Sequence, residues 1–385
     1  MVRQSTTRQR LRSAFLWLHR WLGLASGIIV FIVAITGCIY VFEKEGRELF
    51  QHRYYHVTNP RTVRRDIGQL QEIIRQKFPG TVINNLRFAE EKDAAFLFTT
   101  KNDKVISVDP YTGKIIGVRD NKKDFFKVVL NLHRTLLLGK AGKQIIRWNV
   151  LIFFILCISG LILWWPKQRR FFKRAVSIRF KTKNRKRFNW DLHTVLGFYA
   201  LLVLLIISLT GMFWVFDSVK NIVRFTTHQP SGKKEEKIKS RSAAGNGFPI
   251  EAAYRQAAAS HPGAQEIIIV SPADSLAPIR ITMQYAYTLV RKQNNLFFDQ
   301  YSGKILRENL YSNYSAYDKV NRSNYQLHTG DMPGLGIGIK IIYFLAGLFA
   351  ASLPITGFLI WWGRNKKKKK AITNVRANEL VAQLS

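Results

Sequence analysis

The sequence predicts an α+β membrane protein, in which a four-transmembrane-helix bundle built from a tandem repeat carries two extracytoplasmic α+β domains. Three observations predict this fold. Four apolar runs are each long enough to cross a hydrocarbon layer about 30 Å thick, which takes roughly 20 residues. A long polar stretch with helix and strand patterns follows the first run, and another follows the third. A set of motifs recurs in the same order in both halves of the chain, as expected of a duplication.

The repeat is clearest around two histidines. LHRWLGL at 18–24 returns as LHTVLGF at 192–198, and each copy is followed at the same distances by a Thr-Gly pair and a phenylalanine. A second unit consists of a DxYxGKI loop, an LH dipeptide and an apolar run that ends in two tryptophans. Independent apolar segments would seldom agree in this way, so we expect a tandem duplication.

The motifs and apolar runs divide the chain into eleven segments. They are a cytoplasmic tail (1–14), a first span (15–42), a first external domain (43–122), an outer interfacial segment (123–144), a second span (145–165), a basic cytoplasmic loop (166–190), a third span (191–216), a second external domain (217–322), a second outer interfacial segment (323–340), a fourth span (341–362) and a cytoplasmic tail (363–385).

The charge distribution predicts the orientation of these segments. The net charge is +36, yet the basic clusters flank spans, and residues 166–190 hold eleven Lys or Arg and no acidic residue. Short basic loops mark the cytoplasmic side of a membrane, so both large domains are expected outside, in a periplasm or its equivalent. Anionic phospholipid is the expected partner of the clusters. This placement argues against nucleic-acid binding.

Both external domains show the same order of patterns. In the first, an amphipathic helix over 68–78 precedes the strand patterns TVINNLRF, AAFLFTT and KVISVDP. In the second, a helix over 251–260 precedes EIIIV, IRITMQY, YTLVRK and NLFFDQY, after a polar link over 226–247. Neither domain shows a nucleophile–base pair, a P-loop or zinc-ligand spacing. Four histidines without a counterpart in the other half are interpreted as solvated surface residues: His52, His56, His228 and His261.

Four repeat-related histidines fall into two pairs. His19 and His193 lie near the cytoplasmic ends of the first and third spans, and His133 and His328 lie at the outer ends of the second and fourth. Paired histidines on facing helices are what a six-coordinate b-type haem requires. Two such haems would divide the path of an electron across the membrane into shorter steps. The chain has no CxxCH motif, so both haems would be held noncovalently.

Other interpretations of these histidines stay open. Each histidine with its following glycine, Gly23 or Gly197, is also compatible with simple helix packing, although the four-residue spacing lets a flat group approach that helix face. His133, on the apolar face of a helix, is also compatible with a buried hydrogen-bonded histidine. His328 precedes glycines and a proline, so we expect only a short helix there, and Met332 is an alternative ligand.

Motifs over nearly the whole chain resemble a known family. LHRWLGL, VDPYTGKIIG, NLHRTLLLG, SGLILWWP, LHTVLGFY, FFDQYSGKILRE, QLHTG and TGFLIWW resemble the PepSY-associated transmembrane proteins, often described as iron-regulated membrane proteins. The resemblance implies a bacterial inner-membrane protein with two periplasmic PepSY-like domains. In characterised relatives it implies a dihaem ferric-siderophore reductase. Some relatives carry a fused cytoplasmic flavin reductase, which is not expected here, so the donor would be a separate flavin reductase or a membrane quinol.

We therefore expect an oxidoreductase that passes electrons outward to a ferric siderophore or another ferric chelate. Hard oxygen donors hold Fe(III) tightly and Fe(II) weakly, so reduction would release the iron. The main alternative is a haem-free regulatory protein that restrains a periplasmic partner such as a protease. A transporter is a third possibility, but no span carries a midplane acid.

A tyrosine-rich segment before His328 is the candidate contact surface for the chelate. Its aromatic faces and cations would suit an anionic ligand, although tyrosines at a membrane interface are also typical of an aromatic belt. The candidate residues are Tyr311, Tyr314, Tyr317, Arg322 and Tyr325, with Lys319 nearby.

Overall fold

The computed structural model describes residues 7–166, 168–229, 238–241 and 247–383. Within them the helices are α1 (Thr7–Val41), α2 (Glu43–Tyr55), α3 (Ile67–Lys77), α4 (Phe125–Thr135), α5 (Gly139–Trp164), α6 (Phe172–Ala175), α7 (Arg185–Asp191), α8 (Gly197–Val215), α9 (Asp217–Thr226), α10 (Ile250–Ser260), α11 (Ala316–Thr329) and α12 (Gly336–Gln383). The strands are β1 (Ile83–Ala89), β2 (Phe96–Thr100), β3 (Lys104–Val108), β4 (Ile115–Asp120), β5 (Glu266–Val270), β6 (Ile279–Gln284), β7 (Gln293–Phe298) and β8 (Ile305–Asn309). Most of the predicted link over 226–247 lies outside the described residues.

Among the described residues, four helical segments are long and apolar enough to cross a membrane, as predicted. They are Gln9–Val41, Gly139–Trp164, Arg185–Val215 and Pro333–Arg364. In the bundle, α1 packs against α5 and α12, and α8 packs against the same two helices. Small residues allow these contacts to be close. At Gly347, for example, an added Cβ would lie only 2.6 Å from Cys38 Sγ. Such small-residue contacts are typical of helix packing in lipid.

Outside the bundle, the described strands form one open antiparallel sheet of eight, in the order β4-β3-β2-β1-β5-β6-β7-β8; this part of the molecule keeps the name external from its predicted position. The two predicted sets of strands are thus joined edge to edge, with β1 paired to β5 from Asn85–Val270 to Ala89–Glu266. Helices α3 and α10 contribute Leu70 and Ala257 to a single hydrophobic core with the strands. Joining β1 to β5 satisfies two strand edges that would otherwise expose unpaired backbone groups.

One predicted strand is wrong. Residues 287–292, read as the strand YTLVRK, form bends and irregular backbone, and β7 begins only at Gln293. The reason is a contact with the outer end of the bundle. The backbone N–H of Arg291 donates to the carbonyl of Arg322 on α11 at 3.4 Å, and Thr288 lies against Gly334 before α12. Residues of this alternating segment therefore contact the end of the bundle instead of pairing with a strand of the sheet.

Two helices outside the spans hold the outer histidines. Helix α4 packs on α1 and α5, and α11 packs on α8. The Asp124 side chain caps α4 and receives two hydrogen bonds from Arg47 of α2, at 2.9 and 2.6 Å. The helix before Gly330 is longer than the short helix predicted from the sequence. A capping box between Ser315 and Asp318 starts α11 early, so it has 14 residues, against 11 in α4.

Candidate functional site

The inner histidine pair joins α1 to the start of α8. His193 lies in a π-helical turn, Leu192–Leu196, that leads into α8, and wider turns of this kind are frequent at functional sites. The imidazole rings of His19 and His193 lie with their centroids 6.4 Å apart and their planes at 88°. His19 Nδ1 is 2.8 Å from Ser159 Oγ of α5. His193 Nδ1 is 2.8 Å from Thr356 Oγ1 of α12.

The outer pair has nearly the same geometry. The ring centroids of His133 and His328 lie 6.2 Å apart, with the planes at 80°. His133 Nδ1 is 3.1 Å from Thr36 Oγ1 and 3.0 Å from the carbonyl oxygen of Val33. His328 Nδ1 is 2.9 Å from Thr210 Oγ1 and 3.1 Å from the carbonyl oxygen of Ile207. The structure thus pairs His328, rather than Met332, with His133.

These contacts define the protonation of the outer imidazoles. A carbonyl oxygen only accepts hydrogen bonds, so Nδ1 of His133 and of His328 carries the proton and Nε2 keeps its lone pair. Enclosure between helices lowers the pKa of His133 to about 4 and that of His328 to about 3. Both side chains are therefore neutral near pH 7, which is the form that binds metals.

The hydroxyls beside all four histidines are also oriented. Each donates to a backbone carbonyl of its own helix, four residues back, at 2.7–2.9 Å: Thr36 to Ile32, Ser159 to Ile155, Thr210 to Ile206 and Thr356 to Ser352. With its proton committed, each oxygen can accept from an imidazole Nδ1–H. A histidine that donates its other ring N–H in this way is typical of metal ligands.

A glycine follows each of these hydroxyl residues and lies against the imidazole edge. A Cβ added to the glycine would come within 3.3–3.5 Å of histidine Cε1 in every case: Gly37 on His133, Gly160 on His19, Gly211 on His328 and Gly357 on His193. The Ser/Thr-Gly pair therefore forms one cradle per histidine. In the sequence, the recurring Thr-Gly and the repeated glycines 160 and 357 signalled these positions, but no role had been assigned to them.

The spacing of both pairs fits one metal ion between two Nε2 atoms. A metal–nitrogen bond is about 2.0–2.1 Å, and the centre of an imidazole ring lies about 1.2 Å from its nitrogen at ring bond lengths near 1.33 Å. One metal–nitrogen bond and one ring radius on each side of the ion add up to about 6.4 Å between the two ring centroids. The measured 6.4 and 6.2 Å agree with this value.

A cavity of about 240 Å³ opens beside the inner pair. Gly23 and Gly197, the predicted glycines of the site, both line it, as do Trp164 and Phe198. The cavity wall is mainly apolar, but it also includes Arg20 and Arg364. A flat hydrophobic group with acidic substituents would suit this combination.

The predicted tyrosines surround α11, which carries His328. Each ring has a cation over it, at 4.8–5.9 Å: Lys292 on Tyr311, Arg322 on Tyr314, Arg224 on Tyr317 and Arg291 on Tyr325. The hydroxyl of Tyr314 donates to the Gln293 carbonyl at 3.0 Å, so it also supports the fold. Sequence reasoning missed three of the four cations, because they come from α9 and from the loop before β7.

The family model described as PepSY-associated TM region matches residues 16–364. The chain belongs to this family. All four site histidines and their Ser/Thr-Gly cradles lie inside the matched region of this PepSY-associated TM protein. A comparison with curated proteins gave no match.

Proposed function

We propose that this protein is a dihaem electron-transfer protein of a bacterial inner membrane, which reduces a ferric siderophore or another ferric chelate outside the cytoplasm. The observation that carries the proposal is the pair of matched histidine sites. Both have a centroid spacing that fits one coordinated ion, and all four Nδ1 atoms are held by oriented hydroxyls.

Each group of residues has a distinct part in this proposal. His19 with His193, and His133 with His328, would hold the two haems through their Nε2 atoms, while the Ser/Thr-Gly cradles orient the imidazoles. Arg20 and Arg364 would neutralise carboxylates of a group in the inner cavity. A b-type haem, when bound, supplies a one-electron iron couple.

The spacing along the helices supports two carriers rather than one. Thr36 follows His19 by 17 residues on α1, and Thr210 follows His193 by the same number. At a rise of 1.5 Å per residue the two levels are about 25 Å apart along the helix. Each level would then serve one face of a hydrocarbon layer about 30 Å thick.

The acceptor and the orientation belong to the same proposal. The tyrosines beside His328 and their four cations would attract an anionic chelate, which needs only to come near the outer pair. The external sheet would consist of two PepSY-like domains produced by tandem duplication, in the periplasm. The basic loop 166–190 would then be cytoplasmic, against anionic lipid, with a flavin reductase or quinol as donor.

Optical spectroscopy of the purified full-length protein tests the cofactor. We expect a b-type spectrum with two haems per chain. His19→Ala and His133→Ala should each remove or perturb one haem and spare the other. His261→Ala is the matched control, because it removes an external histidine. Protein without haem, or two unchanged haems in both bundle variants, would contradict the assignment and favour the regulatory function.

Stopped-flow measurement tests the acceptor. Protein reduced by dithionite, freed of excess reductant and mixed with a ferric siderophore should be reoxidised while ferrozine traps Fe(II). Substitution of Arg322 or Arg291 by Gln should slow the reaction with anionic chelates more than with neutral ones. Haems that stay reduced with several chemically different ferric siderophores would refute this acceptor.

A further inference from the structure

A second group of potential metal ligands lies outside the bundle, at the end of α2. Glu48 and His52 stand four residues apart on one face of α2, and His56 directly follows the last residue of the helix, with extended backbone. Glu48 Oε1 is 2.6 Å from His52 Nδ1, and Glu48 Oε2 is 3.2 Å from His56 Nε2. The two imidazole rings are stacked with their centroids 4.2 Å apart.

These three side chains are close to a coordination geometry. One donor atom from each can be chosen so that all lie within 4.8 Å of one another. Ligand atoms around a tetrahedral ion with bonds of about 2.0–2.2 Å lie about 3.3 Å apart. The Glu48 and His52 side chains are exposed, at 57% and 61% accessible, so they are free to rotate toward a common ion. Solvent would fill the remaining positions.

Asp93 orients the third ligand. Its carboxylate lies 3.0 Å from His56 Nδ1, which leaves Nε2 of the same ring toward Glu48. A carboxylate behind a histidine is a frequent support of metal ligands, because it fixes the ring and raises its basicity. The position is also rigid: the backbone N–H of Val57 donates to the Asp93 carbonyl at 2.7 Å, and His56 forms a β-bridge with Ala94.

We infer that Glu48, His52 and His56 form a binding site for a divalent first-row transition ion such as Zn²⁺ or Fe²⁺. Two imidazoles and one carboxylate suit such ions, whereas Mg²⁺ and Ca²⁺ favour oxygen ligands alone. The site is distinct from the histidine pairs of the bundle and does not depend on the proposed function. The ion would link α2 to His56, whose other ring nitrogen already contacts Asp93 of the 90–94 loop. Helix α9, which follows α8, contains no histidine, so one site per chain is expected.

Calorimetric titration of the full-length protein with Zn²⁺ tests the site. The protein is purified with a tag free of histidine and stripped with a chelator. We expect one Zn²⁺ per chain, and an affinity at least tenfold lower in His52→Ala, His56→Ala and Glu48→Gln. Asp93→Asn should weaken binding about 10- to 100-fold, as loss of a supporting carboxylate does. The matched control is His261→Ala, which removes a histidine beside one carboxylate, Glu308, at 3.5 Å.

Two further measurements make the result decisive. Zn²⁺ should raise the melting temperature of the wild type and of His133→Ala, but not that of His52→Ala, whose unliganded melting temperature should equal the wild type. Mg²⁺ should have no effect. The inference is overturned if Zn²⁺ does not bind saturably, if binding survives in both His52→Ala and His56→Ala, or if it is lost in His133→Ala instead.

Discussion

The hydroxyl that holds His19 gives a sharp prediction. Ser159→Ala removes the acceptor 2.8 Å from His19 Nδ1 and changes the side-chain volume little. The backbone of Leu156 also contacts the His19 imidazole, but Ser159 Oγ is the partner with hydrogen-bond geometry at Nδ1. At the outer level, Thr36→Val removes a hydroxyl 3.1 Å from His133 Nδ1, but the Val33 carbonyl remains at 3.0 Å. The two substitutions should therefore differ in effect.

The size of each effect depends on which hydrogen-bond acceptor remains beside the histidine in the variant. A buried donor without a partner costs about 1–3 kcal/mol, and loss of a hydrogen bond behind a metal ligand typically costs 10- to 100-fold in affinity. We expect Ser159→Ala to weaken haem binding at the inner site by about tenfold or more. Thr36→Val should weaken the outer site less than tenfold, since one good acceptor persists. The inner reduction potential should rise as the imidazole becomes a poorer donor.

Haem titration into apoprotein, followed by a spectroelectrochemical titration, measures both quantities. Ser208→Ala is the matched control. Ser208 is also buried in a spanning helix, and its hydroxyl donates to the Leu205 carbonyl at 3.0 Å. An equal loss of haem affinity in Ser159→Ala and Ser208→Ala would show that the Ser159 hydroxyl does not act through His19. A larger loss in Thr36→Val than in Ser159→Ala would refute the reasoning from the remaining acceptor.

Two other substitutions test how the outer site is held. Burial would raise the pKa of Asp124, but hydrogen bonds from Arg47 outweigh it and lower the pKa. Asp124→Asn should therefore destabilise the protein by about 2 kcal/mol near neutral pH. In chemical unfolding this difference should begin to shrink below about pH 4, where the carboxylate of the unfolded chain takes up a proton, and it should be lost only below the lowered pKa of the folded state. Gly330 ends α11 with φ +70°, and an added Cβ would lie 2.8 Å from the Tyr343 ring. Gly330→Ala should lower the melting temperature and perturb the haem proposed to bind at His328, while it spares the one proposed at His19. An unchanged spectrum of the outer haem would contradict the proposed position of His328.

The four spans and six of the eight described strands were predictable because their signals are local, whereas β4 and β8 were not predicted. Apolar runs define spans by length alone, and alternation in segments such as AAFLFTT identifies β2 with little error. The junction of β1 with β5 was not predictable. Alternation is the same in an edge strand and in a central one, so it does not specify a partner some 180 residues away.

The site was predictable only where the two halves match. The four histidines and two glycines could be identified because they recur. The Thr-Gly pairs recur as well, but only the structure shows that they lie against the imidazoles. The reliance on recurrence also hid the cluster of Glu48, His52 and His56. His52 and His56 were interpreted as solvated because they lack counterparts, whereas their four-residue spacing with Glu48 was present in the sequence. The π-helical turn at His193 was hidden as well, since one wider turn leaves no sequence pattern.

The contrast between the two kinds of histidine partner follows from where they lie. His56, in the external part, is supported by the Asp93 carboxylate. His19 and His193, within the spans, are supported by hydroxyls of Ser159 and Thr356. A carboxylate in a membrane-spanning helix costs up to about 2.5–3.5 kcal/mol on insertion scales, the value at the helix centre, and it would add a negative charge beside the site. A serine or threonine avoids this cost, because its proton is satisfied by its own helix while its oxygen still accepts from Nδ1. The following glycine then lets the ring approach the helix, so the Ser/Thr-Gly pair supplies a neutral support that a membrane helix can carry.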